Sequence, residues 1–467
     1  MNLKKEISKY DILTTIGAIA DENNIKAYAV GGFVRDIILT RKIDDIDIVC
    51  LGKGIFLAEK VAKHLHVDNF AVYARFGTAM FKYNNLQIEF VGARKESYDR
   101  TSRKPIVEEG TFEDDQLRRD FTINTLAIGL NKDNFGELIN YLHGLEDLQN
   151  KIIKTPIDPR KTFSDDPLRM LRAIRFATQL NFKIDINTFE AIKEQKERIK
   201  IISQERIRDE INKILLSPRP SVGFKLLSET GLLALIMPFI ENLKGKLQIG
   251  RFSHKDIFEH TLQVVDNVSQ HTENIYLRWT ALLHDIAKPQ TKKFNSTLGF
   301  SFHGHEEIGA RMVKKIFSDF KLPKDKVKYV EKLIRLHLRP IAIAQDVVSD
   351  SGVRRLAFES GEDFNDLMLL CRADITSHNP QKINEYLNNF DKVEKKVDEI
   401  IKKDFIRNLQ PVITGEMIMK EFKLPPGPKV GKIKQLLKNA ILNGEVENEY
   451  EKLYEYLNKI KKTFYER

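Results

Sequence analysis

Asp44-Asp45-Ile46-Asp47-Ile48-Val49 alternates acidic and β-branched residues, and in a strand alternate side chains share a face. Asp45 and Asp47 then point one way while Ile46 and Ile48 enter a core. Two adjacent carboxylates repel unless a divalent cation lies between them, although a solvated strand face gives the same pattern. Upstream, Val30-Gly31-Gly32-Phe33-Val34-Arg35-Asp36 follows a predicted strand and opens a helix, where backbone amides can cradle a phosphate. A glycine pair there is equally tight-turn chemistry when taken alone. Gly31, Gly32, Arg35 and Asp36 are the nucleotide-binding candidates of this segment. A phosphate cradle beside paired acids suits a two-metal clamp, in which Mg²⁺ ions activate an attacking hydroxyl and neutralise a leaving pyrophosphate. A third acid is expected nearby. Glu89, on the alternating run Gln87-Ile88-Glu89-Phe90-Val91, is the candidate if antiparallel pairing brings it beside the acid pair.

A second constellation is Arg118-Arg119-Asp120-Phe121-Thr122-Ile123-Asn124, two cations and an anion around two apolar residues. Next comes Asp165-Asp166-Pro167-Leu168-Arg169-Met170-Leu171-Arg172-Ala173-Ile174-Arg175-Phe176, where an acid caps a helix with Pro at its first turn. Arg169, Arg172 and Arg175 recur every three residues and line one face. Such a stripe is ordinarily solvated, but here it starts at an Asp–Arg pair able to offer acceptor and donor to a base edge.

A third constellation is made of histidines. Eight of the eleven fall between His254 and His378, where chance would place about three. His260, the doublet His284-Asp285, His303, His305, His337 and Asp374 offer imidazole and carboxylate ligands, a set that fits Mn²⁺, Fe, Ni²⁺ or Zn²⁺.

The elements that must hold these groups change character along the chain. From Ala27 to about Gly92 short β-rich runs (AYAV, DIDIVC, TAMFKY, LQIEFVGA) alternate with helical patterns, predicting a small mixed sheet backed by helices. After Leu148 apolar residues recur with helical spacing almost throughout. The fold class is therefore α+β followed by all-α segments, with domains expected at 1–148, 149–243, 244–380 and 381–467. The last is Lys-rich, and its turn at Leu424–Gly431 exposes amides that could dock a backbone phosphate.

With 467 residues, 42% hydrophobic and 30% charged, a single small module and a disordered chain are both excluded. A net charge of +10 leans toward polyanionic partners. Cys50 and Cys371 form no disulfide framework or thiolate metal motif. No apolar run reaches 18 residues and no signal peptide is visible, so a cytoplasmic protein with no membrane association and no evident protein partner is expected.

GGFVRD, DIDIV, RRDFTIN and DDPLRMLRAIRF, in this order, resemble the class II bacterial tRNA nucleotidyltransferases, the CCA-adding enzymes, and their relatives the bacterial poly(A) polymerases. The resemblance continues into ERIRDEINKILLSPRPSVGFKLLSETGLLALIMPF and covers roughly the first half of the chain. It implies a nucleotidyltransferase head with Asp45 and Asp47 holding catalytic Mg²⁺ and Glu89 as third carboxylate. Gly31 and Gly32 would meet the triphosphate, Arg119 and Asp120 the ribose, Asp166 and Arg169 the base of CTP or ATP, and Arg172 and Arg175 phosphates. Two departures stand out: the neck opens Asp165-Asp166 where the family has Glu-Asp, and the family's diglycine hinge is Asn140-Tyr141-Leu142-His143-Gly144 here.

The histidine block is similar to the HD phosphohydrolase superfamily. That resemblance implies a divalent transition metal on His260, His284, Asp285 and Asp374, with His305 and His337 available for a second metal and Lys288 part of the pattern. The leading expectation is an enzyme that adds CCA to tRNA from CTP and ATP and carries a second, phosphohydrolase activity. Poly(A) addition and CC-only or A-only addition are same-fold alternatives. The stretch Lys95 to Leu117 is expected to supply the flexible loop for final A addition. From another class, the chain would be a metal phosphohydrolase whose head is an RNA-binding platform, or a tRNA-binding scaffold without catalysis.

Overall fold

The computed structural model describes residues 1–73, 77–97, 106–345, 350–376, 379–404 and 410–465. They form two compact units, Met1–Pro238 and Phe239–Arg467. His378 and the centre of the expected flexible loop lie outside the described residues.

The first unit is built on β1 (Ala27–Val30), β2 (Asp45–Cys50), β3 (Phe70–Tyr73), β4 (Thr78–Tyr83), β5 (Leu86–Gly92), β6 (Arg94–Ser97), β7 (Ile106–Glu109), β8 (Ala127–Gly129) and β9 (Leu138–Ile139). Seven of them make one mixed sheet in the order β3-β4-β5-β2-β1-β8-β9. The four β-rich runs fold as strands, as their alternation predicts. Ile46 and Ile48 of β2 are fully buried, each stabilising the fold by roughly 1.5–3 kcal/mol. That burial fixes the strand's face and holds Asp45 and Asp47 on the other.

The pairing of β5 differs from expectation. β5 runs parallel to β2, with Asp47 opposite Glu89, because the chain leaves β2 through helix Gly54–His64 and returns by the β3-β4 hairpin. A crossover of that length delivers a parallel neighbour. The loop expected at Lys95 to Leu117 is also ordered at its two ends. β6 and β7 pair as an antiparallel ribbon, and helix Phe112–Leu117 starts with a Thr111/Asp114 capping box. The segment that stands where the family has its diglycine hinge is a built turn: Asn140 Oδ1 accepts from the Leu145 amide at 3.0 Å and Asn140 Nδ2 donates to Glu146 at 2.7 Å.

Behind the sheet, helix Leu168–Leu180 packs on helices Gln204–Leu215 and Pro220–Glu229. A parallel pair, β10 (Ile152–Ile153) and β11 (Lys183–Ile184), ties its C-terminal end to the chain before it.

The second unit is helical around buried Trp279, which meets Phe317 and Phe320 edge-on. Two small hairpins interrupt it: β12 (Leu247–Ile249) with β13 (Phe252–His254), and β14 (Lys293–Asn295) with β15 (Gly299–Ser301). The last three helices, Gly415–Phe422, Pro428–Asn443 and Tyr450–Tyr465, share a core of Ile418, Phe422, Ile433, Leu437, Leu453 and Leu457. Among the described residues no helix is long and apolar enough to cross a membrane.

Candidate active sites

In the first unit, Asp47 and Glu89 lie side by side in the β2–β5 register, with Asp45 on the same face toward the strand's open end. Burial pushes the Asp47 carboxyl up to about 6; Arg119 opposes the shift, and Asp45 and Glu89 add to it. Glu89 is likewise raised by burial, with Arg94 opposing and Asp45 adding. Three acids on adjacent strands, two of them with raised pKa values, form a donor set that a divalent cation fits. Gly31, at φ +73°, borders it: a Cβ there would stand 3.3 Å from Asp47 Oδ2 and 3.2 Å from Arg119 Nη1. The backbone reaches the acids only because this residue has no side chain. Gly32 opens helix Gly32–Ile38.

A lattice of charges continues from there into the helical part of the unit. Asp115, fully buried, takes Arg119 on one oxygen at 2.9 Å and Arg118 on the other. Asp120 accepts from Asn124 Nδ2 and the Phe121 amide, both at 2.9 Å, and from Arg172 Nε at 2.8 Å. Burial works to raise its pKa, but Arg172, Asn124 and Arg169 outweigh burial and hold it well below the usual carboxylate range. Arg169 donates to the Arg118 carbonyl at 2.6 Å. Asp166 accepts from the Leu168 amide at 3.1 Å and meets Arg206 at 3.3 Å. Arg118, Arg119, Asp120, Asp166, Arg169, Arg172 and Arg206 line one open cavity of about 260 Å³. Five guanidinium groups and two carboxylates suit an anionic ligand that also carries hydrogen-bonding edges.

Two candidates stand elsewhere than the sequence suggested. Arg175 is buried, bound to Glu210 at 2.7 Å and stacked 3.9 Å over Phe176. It turns inward because helix Gln204–Leu215 covers that side of its own helix. Arg35 is buried as well, clamped by Asp36 at 2.6–3.0 Å and by Asn124 at 2.7 Å. Arg35 ties helix Gly32–Ile38 to the Thr122–Asn124 turn, and Arg175 ties helix Leu168–Leu180 to helix Gln204–Leu215. Arg206 and Asp115 were missed by sequence reasoning. Arg206 did leave a signal, since a cation in the first turn of a helix opposes the macrodipole unless an anion answers it; Asp166 is that anion.

In the second unit the candidates cluster at helix ends. His260 lies in helix Ile257–Ser269, His284 caps Ile275–Leu283, His305 opens His305–Asp319, His337 caps Val327–Leu336 and Asp374 closes Phe364–Asp374. His284, His305 and His337 each bond through Nδ1 to the carbonyl three residues earlier, at 2.8, 2.7 and 2.6 Å. A carbonyl only accepts, so Nδ1 carries the proton and Nε2 faces inward as a ligand atom. His260, His284 and Asp285 form one group of metal-competent atoms, and Asp285, His305 and His337 another. Asp285 belongs to both. Asp374 Oδ1 is 2.9 Å from His260 Nε2 and 3.5 Å from His284 Nε2.

The buried atoms His284 Nε2, His305 Nε2 and Asp285 Oδ1 make no hydrogen bond of good geometry, which leaves ligand atoms free for a cation. Burial lowers the pKa of His284, but Asp285 and Asp374 outweigh it and hold that imidazole up to about 10, while burial and His284 push His337 down to about 4. Lys288 Nζ pairs with Asp285. Lys255 Nζ, not anticipated from the sequence, lies 2.8 Å from His260 Nδ1 and 2.7 Å from Thr376 Oγ1. His303 is exposed, outside both groups.

A family model described as the poly A polymerase head domain matches residues 27–154, one described as a probable RNA and SrmB-binding site of polymerase A matches 181–244, and an HD domain model matches 257–379. The CCA-adding enzyme of Geobacillus sp. (strain WCH70) is 30% identical over 440 residues, covering 93% of each chain. This chain belongs to the tRNA nucleotidyltransferases. The A-adding tRNA nucleotidyltransferase of Deinococcus radiodurans is 31% identical over 348 residues, 72% of this chain and 76% of that one. The Bacillus stearothermophilus CCA-adding enzyme, solved in complex with CTP, shares the fold with a TM-score of 0.68 over 98% of both chains at 23% identity. For a tRNA nucleotidyltransferase the strained glycine is a sharp probe. Gly31→Ala is expected to lower kcat/KM for nucleotide incorporation at least tenfold by displacing Asp47 and Arg119, with a small loss of thermal stability, on the order of 1 kcal/mol, from the left-handed backbone. Unchanged kinetics would show that the close approach has no catalytic consequence.

Proposed function

We propose that this enzyme completes the 3′ end of tRNA with C, C and A, using CTP and ATP, and that its second unit is a metal-dependent phosphohydrolase. The observation that carries the first part is the placement of Asp45, Asp47 and Glu89 beside Gly31, on the same charge lattice as the arginine-lined cavity. In each addition the terminal ribose hydroxyl oxygen of the tRNA bonds to the α-phosphorus of the nucleotide and the bond from that phosphorus to the bridging oxygen breaks, releasing pyrophosphate. Asp45, Asp47 and Glu89 would hold Mg²⁺, which when bound neutralises charge at the reacting phosphate. The Gly31-Gly32 turn orients the triphosphate, and Arg119 and Asp120 border the ribose. Asp166 and Arg169 read the base edge, with Arg206 steadying Asp166. In this reading residues 1–148 are the head, 149–243 the neck, 244–380 the hydrolase and 381–467 a tRNA-contacting tail.

The lone pairs of His260, His284, His305 and His337, with Asp285 and Asp374, would hold a divalent transition metal, which when bound lowers the pKa of a water for attack on a phosphoester. Lys288 orients Asp285 from outside the cluster.

A-only addition is the second reading, favoured by the A-adding relative in Deinococcus radiodurans. Three tRNAs, ending before CCA, after C and after CC, supplied with Mg²⁺ and labelled CTP, ATP or both, separate the two. Extension of all three that stops at CCA supports the leading reading, extension of the third alone establishes A addition, and a growing ladder of A makes the enzyme a poly(A) polymerase.

Base selection has its own test. Arg206→Ala frees Asp166 from its ion pair, and the preference for CTP and ATP over UTP and GTP is expected to fall about 10- to 100-fold, the worth of one well-placed base contact. Equal discrimination in the variant would remove Asp166 from base reading.

A further inference from the structure

The two hairpins of the second unit are cationic, carry exposed apolar side chains and adjoin the histidine site. Residues 244–255 and 288–303 hold Lys244, Lys246, Arg251, Lys255, Lys288, Lys292 and Lys293 and no Asp or Glu. The same segments display apolar groups to solvent: Phe294 is 41% exposed, Ile249 48% and Leu298 83%. Lysines on β14 would suffice to guard a sheet edge, but they leave the exposed phenylalanine and leucine unexplained.

The arrangement is packed ring on ring and joined to the histidine site. Phe252 meets Phe294 at 5.9 Å between ring centroids, and Phe294 meets Phe300 at 5.2 Å. Gly299, at φ +83°, is where the hairpins interlock, since a Cβ there would lie 2.9 Å from the Phe252 ring. Asn295 Oδ1 takes the Thr297 and Leu298 amides at 2.8 and 3.0 Å and sets the second turn. Phe302, one residue past β15, accepts from His305 Nδ1 at 2.7 Å, packs on His254 at 4.7 Å and lies under Lys288 Nζ.

Lys244 and Lys288 are paired with Glu241 and Asp285, and the aromatic rings beside Arg251, Lys292 and Lys293 suit a chain of phosphates that carries stackable bases. We propose that the two hairpins are a docking platform for a single-stranded RNA end, with a base stacked on Phe294 and the backbone along Lys292, Lys293 and Arg251, so that the histidine site acts on polynucleotide termini in preference to small phosphoesters. The inference rests on the phosphohydrolase reading of that site and names its substrate class.

The test uses the full chain with two substrates, a hexaribonucleotide ending in a 2′,3′-cyclic phosphate and bis(p-nitrophenyl) phosphate. In Phe294→Ala the ratio of kcat/KM for the hexamer to that for the small ester is expected to fall at least tenfold, and in Lys292→Glu/Lys293→Glu further, with a steeper dependence on salt in the parent chain than in the charge-reversed one. A hexamer bearing 4-thiouridine is expected to cross-link within residues 244–302. An unchanged ratio, or cross-links confined to residues 1–238, overturns the proposal. If neither substrate is hydrolysed, the phosphohydrolase reading fails while cross-linking still decides whether the platform binds RNA. A dimer that Leu298→Asp dissociates, with no effect on the ratio, would assign the surface to a second copy of the chain and also overturn it.

Discussion

Alanine at Asp45 or Asp47 is expected to lower incorporation of CTP and ATP at least 10³-fold while phosphoester hydrolysis by the second unit continues. A metal's charge stabilisation of a phosphoryl transition state is worth several kcal/mol, and each 1.36 kcal/mol is tenfold in rate. Loss of folding is a poor rival explanation at Asp47, because that carboxylate costs stability. The Asp47 carboxyl is raised to about 6 by its burial, against Arg119 and with Asp45 and Glu89, from an ordinary value near 4. Its protonated form therefore favours the folded state, and that stability is present below about pH 4 and lost as the pH rises to about 6. Metal-free Asp47→Asn protein is then expected to melt higher than the parent at pH 7.5, by at most about 3 kcal/mol of stability, and no higher near pH 4. Mg²⁺ should restore the parent and leave the variant unmoved. Calorimetry in chelator and in Mg²⁺, beside a primer-extension assay, reads both halves; a destabilised Asp47→Asn at pH 7.5 would show that the acids serve the fold.

Asp285→Ala is expected to remove all transition metal from the second unit, whereas His337→Ala removes only part of it. Asp285 belongs to both groups of metal-competent atoms and His337 to one, so a single truncation strips a carboxylate from each. Hydrolysis of a phosphodiester should fall to background in Asp285→Ala and His284→Ala, with CCA addition retained in both. Elemental analysis after dialysis against limiting metal counts the ions; equal metal content in the Asp285 and His337 variants would show that the two groups do not share a ligand. If the same substitutions abolished incorporation, the assignment of separate chemistry to the two units would be wrong.

The sequence carried the acid strand and the histidine cluster because each depends on local periodicity or on a count. Alternation along Asp45–Val49 reports which side is buried without knowledge of what lies alongside. The neighbour's direction was not legible: whether β5 runs with or against β2 is decided by the path through helix Gly54–His64 and two further strands. Arg175 was misplaced for a related reason. A stripe at helical spacing shows that three guanidinium groups share a face, but only tertiary packing reveals that Glu210 waits opposite the third. Lys255 was invisible as a site residue, since it acts across a distance in sequence on His260, and Arg206 left only its place in the first turn of a helix, with nothing to show that Asp166 answers it. The aromatic hairpins were missed because an acid-free stretch is an absence, and no motif draws attention to it.

Every group with candidate chemistry falls wholly inside one compact unit, Gly31 to Arg206 in the first and Lys255 to Thr376 in the second. The two chemistries are thus unequally exposed to inheritance. If the second unit hydrolyses phosphoesters as proposed, a lineage with no use for that reaction can discard it at Asp285 without touching Asp45, Asp47 or Glu89 of the first unit. Drift should accordingly be tolerated among the histidines before it is tolerated among the acids, and comparing the two ligand sets across descendants would date the loss of the proposed second activity in each.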